Sequence, residues 1–338
     1  RTIQKAGPGL MAVPKVRAKA CFLFPRTQYL QLQEEYFNVG LSFELFLRSF
    51  GELDILHEEQ ITDNQLKGYK VLMLADVKLL PRETAAHIEG FVRKNGIIIS
   101  DCVPQMDEYK LPMNTMLKLF GMRRSGTNRI IQEGHWVPYI TQPAEMAFPP
   151  AVDKEKPRVL TDITEGIVNG HSYRFKVASP RSGELERGKI MSSMKSGGFA
   201  LTRHTVGRGR VYLFGFCLQD TYFQSFRDSC EEDRKQLRGL ITDILREEQI
   251  YPHIYSSNPD IEATVRANSK EGYVFIINHE STIGETTVDL RDLGFKVGRV
   301  TDIETGNAIA FNQNRDTATF QITAPFGTSR LLSVQAEK

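Results

Sequence analysis

The sequence has almost no net charge. Its 43 Lys and Arg face 41 Asp and Glu, leaving +2 over 338 residues. Without a basic field, nucleic acid is not an expected partner. No apolar run reaches the ~20 residues that span a bilayer as a helix, so no membrane partner is expected either. Cysteine is scarce: Cys21, Cys102, Cys217 and Cys230 show neither CxxC nor metal-site spacing. That argues against a zinc site and against a disulfide framework. The turn after the first predicted strand is Pro25-Arg26-Thr27, with no GxGxxG or Walker loop, so no nucleotide and no other cofactor is expected. There is no initial Met and no basic-then-apolar leader; Arg1 reads as a cut point, and no compartment is indicated.

What is present is an ordinary globular composition, 41% hydrophobic, in a chain long enough for two cores. Residues 1–15 hold two prolines and two glycines without periodicity and read as a linker or arm. From Val16 a repeating pattern starts. Strands are expected at 16–24, 53–56, 69–75 and 96–100, the last two as near-continuous apolar runs suited to burial on both faces. Helices are expected over 27–50 and from Pro81 to Asn95-Gly96, the latter carrying Ala85, Ile88, Phe91 and Val92 at helical spacing. This order predicts an α/β domain over 16–252, a parallel sheet with helices on both faces. Residues 103–185 give no clear assignment. Strands follow at 189–194, 199–206 and 210–216, with Gly207-Arg-Gly209 as a turn, then an amphipathic helix over 221–248. Beyond the prolines at 252 and 259, short strands recur every 10–12 residues. They begin at 261, 273, 286, 297, 308, 318 and 329, and predict a small all-β sandwich over 259–338.

A doubly wound sheet binds ligands beyond the carboxyl ends of its strands. Candidate ligand-binding residues there are Arg26, Asp76, Asp101 and Asp107. Cys102 sits in the same stretch and would be the nucleophile of a class I glutamine-amidotransferase-like enzyme. Its neighbours Asp101, Val103 and Pro104 argue against that: the elbow needs small residues, and proline supplies no oxyanion N–H. No catalytic residue and no metal ligand is assigned. His57-Glu58-Glu59 reads as a solvated loop, and Asn278-His279 as a strand-end pair closing a turn. The first helix carries two apolar stripes. Tyr29, Leu32, Tyr36, Val39, Phe43, Phe46 and Phe50 form one, and Leu30, Phe37, Leu41 and Leu45 the other. One can face the sheet; the second needs cover from within the chain or from another domain or subunit, which makes Leu30, Phe37, Leu41 and Leu45 candidate interface residues.

Several segments together resemble the carboxy-terminal half of family 42 glycoside hydrolases, the β-galactosidase type. Leu66 to Leu74, Glu83-Thr-Ala-Ala86 and Phe91-Val-Arg-Lys-Asn-Gly96 look like that family's trimerisation domain, with Asn95 where the family has glycine. Gly207 to Phe214 resembles a hairpin late in that domain. Ile261-Glu-Ala-Thr-Val-Arg266, Tyr273-Val-Phe-Ile-Ile-Asn-His279, Asp302-Ile-Glu-Thr-Gly306 and Pro325 to Leu332 resemble its small carboxy-terminal β-domain. The stretch 121–187 fits the pattern poorly. The resemblance implies a flavodoxin-like, glutamine-amidotransferase-like domain followed by a β-sandwich. It also implies an assembly or accessory role in a β-galactosidase-like glycoside hydrolase. The catalytic barrel, which in the family carries both catalytic glutamates, is missing from the chain. Partners would be that barrel and sister subunits, with carbohydrate as a further ligand class. The alternative is a free-standing sugar- or small-molecule-binding protein using Arg26, Asp76, Asp101 and Asp107.

Overall fold

The computed structural model describes residues 7, 9–32, 37–125, 160–181, 183–279 and 282–337. The chain divides into two compact units: Phe22–Leu45 with Ile55–Ile244, and Arg1–Cys21 with Phe46–Asp54 and Leu245–Lys338. The early segments 1–21 and 46–54 thus belong with the carboxy-terminal strands, although in sequence they lie in the predicted arm and α/β domain.

The larger unit is built on a sheet. Its strands are β1 (Ala20–Phe24), β2 (Asp54–His57), β3 (Val71–Leu74), β4 (Ile97–Ser100), β5 (Met122–Ser125), β6 (Thr161–Val168), β7 (His171–Ala178), β8 (Gly183–Leu185), β9 (Lys189–Met194), β10 (Phe199–Val206) and β11 (Gly209–Phe214). Nine of them form one sheet in the order β2-β1-β3-β4-β11-β10-β9-β6-β7, and β5 pairs with β8. β3, β4 and β11 run parallel. Every residue of β3 and β4 is buried, as strands covered on both faces require. The expected parallel sheet is found for β3, β4 and β11 and corrected beyond them: β11 and β10 form the hairpin expected at Gly207-Arg-Gly209, and β10, β9, β6 and β7 extend the sheet antiparallel. The reason is visible in β7, where Tyr173, Phe175 and Val177 are buried and Ser172, Arg174 and Lys176 are exposed. That period-2 alternation suits a strand with one wet face. It lies in the stretch that the sequence left unassigned.

The expected helix over 27–50 is described as two pieces, α1 (Arg26–Leu32) and α2 (Phe37–Phe50). Tyr36 lies outside the described residues. α3 (Glu58–Thr62) and α4 (Arg82–Arg93) follow. Pro81 caps α4, which buries Thr84, Ala85, Ile88 and Val92; it stops at Asn95, whose φ of 101° is left-handed. α5 is Asn114–Leu119. The single amphipathic helix expected over 221–248 is two helices, α6 (Leu218–Arg227) and α7 (Glu231–Glu247). Ser229 between them takes φ 53°, a conformation that no α-helix can contain. Gly207 turns the β10–β11 hairpin at φ 60°, and a Cβ there would come within 2.8 Å of the Arg93 carbonyl. Glycine is required on both counts.

The smaller unit holds β12 (Ile254–Ser256), β13 (Ile261–Ala267), β14 (Glu271–Asn278), β15 (Gly284–Arg291), β16 (Val297–Asp302), β17 (Asn312–Asn314), β18 (Thr317–Ala324) and β19 (Ser329–Ala336). They form two four-stranded antiparallel sheets, β12-β15-β18-β17 and β13-β14-β19-β16. β13 and β14 alternate strictly between buried and half-buried positions. Their inward residues join Val288, Leu290, Phe320 and Leu332 in one apolar core. The strand expected at 308–312 is displaced to β17; Ala308 makes only an isolated bridge to Thr301. The end of the predicted arm is ordered along β13: the Arg266 Nε donates to the Val13 carbonyl at 2.8 Å and the Ala267 N–H to the Pro14 carbonyl at 3.1 Å.

Candidate functional site

The carboxyl ends of β3, β4 and β11 converge on one ion cluster. Asp101 follows β4 directly and is fully buried. One of its oxygens accepts the Asp76 N–H at 2.7 Å and the other the Leu218 N–H at 2.8 Å, tying the ends of β3 and β4 to the start of α6. Asp76, at φ 50°, turns the chain after β3. Its carboxylate receives the Arg181 Nη2 at 2.7 Å and the Lys78 ammonium at 3.2 Å. Arg181 also lies 3.9 Å from Asp101. Its side chain is 5% exposed, and Nε and Nη1 have no hydrogen-bond partner among the described residues. Gln28 on α1 fixes the loop further, accepting from the N–H groups of Lys78 and Leu79 and donating to the Asp76 carbonyl.

Burial pushes the Asp101 carboxyl up from its ordinary range, against the pull of Arg181. Asp220, whose carboxylate accepts from the Ser179 hydroxyl, is also raised by burial. Burial opposes the Arg181 cation, but the acids around it outweigh that and hold it charged. Asp76 and Asp101 around one guanidinium and one ammonium, with Asp220 tied to Ser179 beside them, make an internal network in which each acid already holds a partner.

Of the four candidate ligand residues, the structure brings Asp76 and Asp101 together and gives the other two separate partners. Arg26 pairs with Glu59 at 2.9 Å on the surface. Asp107 is buried in its own loop, where it accepts from the N–H groups of Tyr109 and Leu111 and from Arg82 Nε at 2.6 Å. Burial works against that carboxylate, yet these donors hold it below the usual range. Arg181 escaped the sequence reading because it lies in the unassigned stretch after β7, and no local pattern marks a lone buried arginine.

Cys102 is buried, its Sγ turned toward the Val103 carbonyl, and burial pushes its thiol up to about 12. Such a thiol is almost entirely protonated at neutral pH and is no nucleophile. Burial raises Cys21 and Cys217 as well, whereas Cys230 is only half-buried. Titration of the native protein with a disulfide reagent at pH 8 is therefore expected to modify Cys230 promptly and the other three only after denaturant is added. Fast native modification of Cys102, read by peptide mass, would contradict this.

The His57-Glu58-Glu59 stretch is not the expected solvated loop. It leads from β2 into α3, and the buried Glu58 accepts the Thr27 N–H at 3.0 Å near the start of α1. Burial raises the Glu58 carboxyl. Asn278 closes a turn, donating to the carbonyls of Thr282 and Ala324, and His279 pairs with Glu262. Among the described residues no group of three or more His, Cys, Asp or Glu is placed to hold a metal ion, and no helix is long and apolar enough to cross a membrane. The interface candidates separate. Leu30 is 71% exposed and Leu41 is half-buried, whereas Leu45 is fully buried and available to no partner. The side chain of Phe37 lies outside the described residues.

No protein-family model and no curated protein matches this sequence. Solved structures do. The β-galactosidase from Bacillus circulans sp. alkalophilus is 15% identical with a TM-score of 0.66, over 98% of this chain and 43% of that one. Gan42B, a GH42 β-galactosidase from G. stearothermophilus (catalytic mutant), is 15% identical at TM-score 0.60, over 95% and 41%. The α-L-fucosidase isoenzyme 2 from Paenibacillus thiaminolyticus is 13% identical at TM-score 0.67, over 99% and 51%. The chain has a glycoside-hydrolase-like fold. It spans about two fifths to one half of the length of these proteins.

Proposed function

We propose that this chain is the non-catalytic scaffold region of a glycoside hydrolase of the β-galactosidase-like kind. The observation that carries the reading is coverage: nearly the whole chain aligns with about half or less of each solved hydrolase. In this reading the larger unit is a flavodoxin-like, glutamine-amidotransferase-like domain whose ligand crevice has been filled. Asp101 spends both oxygens on backbone N–H groups, Asp76 is held by Arg181 and Lys78, and Cys102 is a protonated core thiol. An active site needs groups free to meet substrate, and these are committed to the fold. The partners are a catalytic barrel and sister subunits in a trimer, with Leu30 and Leu41 of the second apolar stripe contributing to the assembly face. The galactoside or fucoside character of the substrate rests on the names of the solved proteins, since fold by itself does not choose a substrate.

Two measurements test the proposal. The chain alone is expected to leave aryl β-galactosides and aryl α-L-fucosides intact. Light scattering across a concentration series is expected to give a trimer that Leu30→Glu converts to monomer. Hydrolysis by the chain alone would overturn the non-catalytic role; a monomer at every concentration would overturn the assembly role.

A further inference from the structure

The smaller unit carries a cleft that neither the sequence reading nor the scaffold role uses. It has a volume of about 430 Å³ and is lined by Tyr251, Arg291, Asp292 and the turn from Asn314 to Thr317. That volume falls in the range of small-molecule sites, ~300–1,000 Å³. The cleft exists because four strand ends meet at one end of a sheet. β12 starts just after Tyr251, β15 ends at Arg291, and Arg291 pairs in register with Thr317 at the start of β18. Asn314, the last residue of β17, pairs with Thr317 across the tight Arg315-Asp316 turn.

The two walls differ in how far their groups are already engaged. On one wall the Arg291 guanidinium lies over the Tyr251 ring, 5.0 Å from its centroid, and donates to Asp289 at 2.9 Å. Asp292 is paired with Lys19. The Arg291 N–H donates to the His253 carbonyl at 2.8 Å, and His253 Nδ1 lies 3.2 Å from the Arg291 carbonyl. This wall is preorganised, and Tyr251 gives it an aromatic surface that is 38% exposed. The opposite wall is the turn, its backbone held by a 2.6 Å bond from the Gln313 amide to the Arg315 carbonyl and by Arg315 at φ 52°. The side chains of Asn314, Arg315 and Asp316 are exposed and make no hydrogen bond or ion pair with any described residue.

Those three side chains offer an amide, a guanidinium and a carboxylate: donors, acceptors and no net charge between Arg315 and Asp316. An anion would meet Asp316 and Asp292; a cation would meet Arg315 and Arg291. A neutral molecule rich in hydroxyl groups, each able to donate and accept, matches the set. We propose that this cleft, between Tyr251 and the Asn314–Thr317 turn, is a binding site for a neutral saccharide. The proposal rests on the reading of the chain as part of a carbohydrate-active enzyme and names a place on the chain itself where a neutral sugar would be held.

The test is calorimetric titration of the full chain with galactose, fucose and a neutral galacto-oligosaccharide, with galacturonic acid as the anionic probe. Saturable binding of a neutral sugar is expected. Asp316→Ala and Asn314→Ala should each weaken it about tenfold or more, the loss typical of a hydrogen bond at a ligand site, with unchanged circular dichroism and melting. The site is overturned if no neutral probe binds at millimolar concentrations, if galacturonate binds more tightly than galactose, or if neither substitution alters the affinity. Hydrolysis assays on the same preparation read the scaffold role separately, so a blank titration removes the cleft alone.

Discussion

Arg181→Leu is expected to destabilise the larger unit by about 3–5 kcal/mol, the usual result of removing one partner from a buried ion pair. The guanidinium lies against both Asp76 and Asp101, at 2.7 and 3.9 Å. Asp101 has no solvent to turn to, and its two oxygens are already committed to the N–H groups of Asp76 and Leu218. Without Arg181 it must carry an uncompensated charge or take up a proton, and the proton competes with one of those backbone bonds. Asp101→Asn is also expected to destabilise, because an amide offers only one acceptor to two N–H donors. The double variant should then lose at least 1 kcal/mol less than the sum of the singles, as directly coupled groups do. Urea unfolding followed by circular dichroism measures the total. Hydrogen exchange in β4 and β11 assigns the loss to this unit. A single-variant cost within about 0.5 kcal/mol, the range of an ordinary surface substitution, would mean that the cluster is not holding the strand ends together.

In the smaller unit Glu52→Gln should raise stability at pH 8 and leave it nearly unchanged at pH 4. Glu52 is buried, and its carboxylate accepts the His253 N–H at 2.8 Å. Burial raises this carboxyl from 4.5 to about 7, against the smaller pull of that N–H and of Lys19. The folded state therefore holds a proton that the unfolded chain releases near pH 4.5. The stabilisation is full below that pH and is lost as pH rises toward 7. A displacement of this size corresponds to ~3 kcal/mol, read as several degrees in melting temperature. Glutamine keeps the oxygen that His253 needs and cannot ionise. His253 itself titrates in the opposite sense, since burial lowers it and favours its neutral form at higher pH. The difference between wild type and variant at each pH isolates Glu52. A difference that does not change between pH 4 and 8 would show that Glu52 ionises freely in the fold.

The β-rich half was the more legible part of the sequence. Strict alternation marks β13, β14 and β18 because each has one face in the core, and such a face leaves a period of two in the chain itself. β3 and β4 were legible for the opposite reason, as apolar runs buried on both sides. The break between α6 and α7 was not, because Phe226, Cys230 and Leu237 keep helical spacing across a residue whose left-handed backbone only the structure displays. The candidate site was half legible. Position after a strand end singled out Asp76 and Asp101, which the structure brings together, but it could not tell a ligand-facing carboxylate from one consumed by Leu218 N–H, 117 residues away.

By itself the sequence determined the alternation of elements, the buried strands, the turns that need glycine, and a resemblance of pattern to glycoside hydrolases, all properties carried by residues near one another in the chain. The tertiary structure alone decided that β9, β6 and β7 extend the large sheet antiparallel, that segments 1–21 and 46–54 belong with the carboxy-terminal strands, and that Arg181 lies against both Asp76 and Asp101. It also decided that Tyr251 and Asp316 face one cleft. Each of these depends on groups tens to hundreds of residues apart, whose burial and pairing are set by packing, and packing leaves no local period to read.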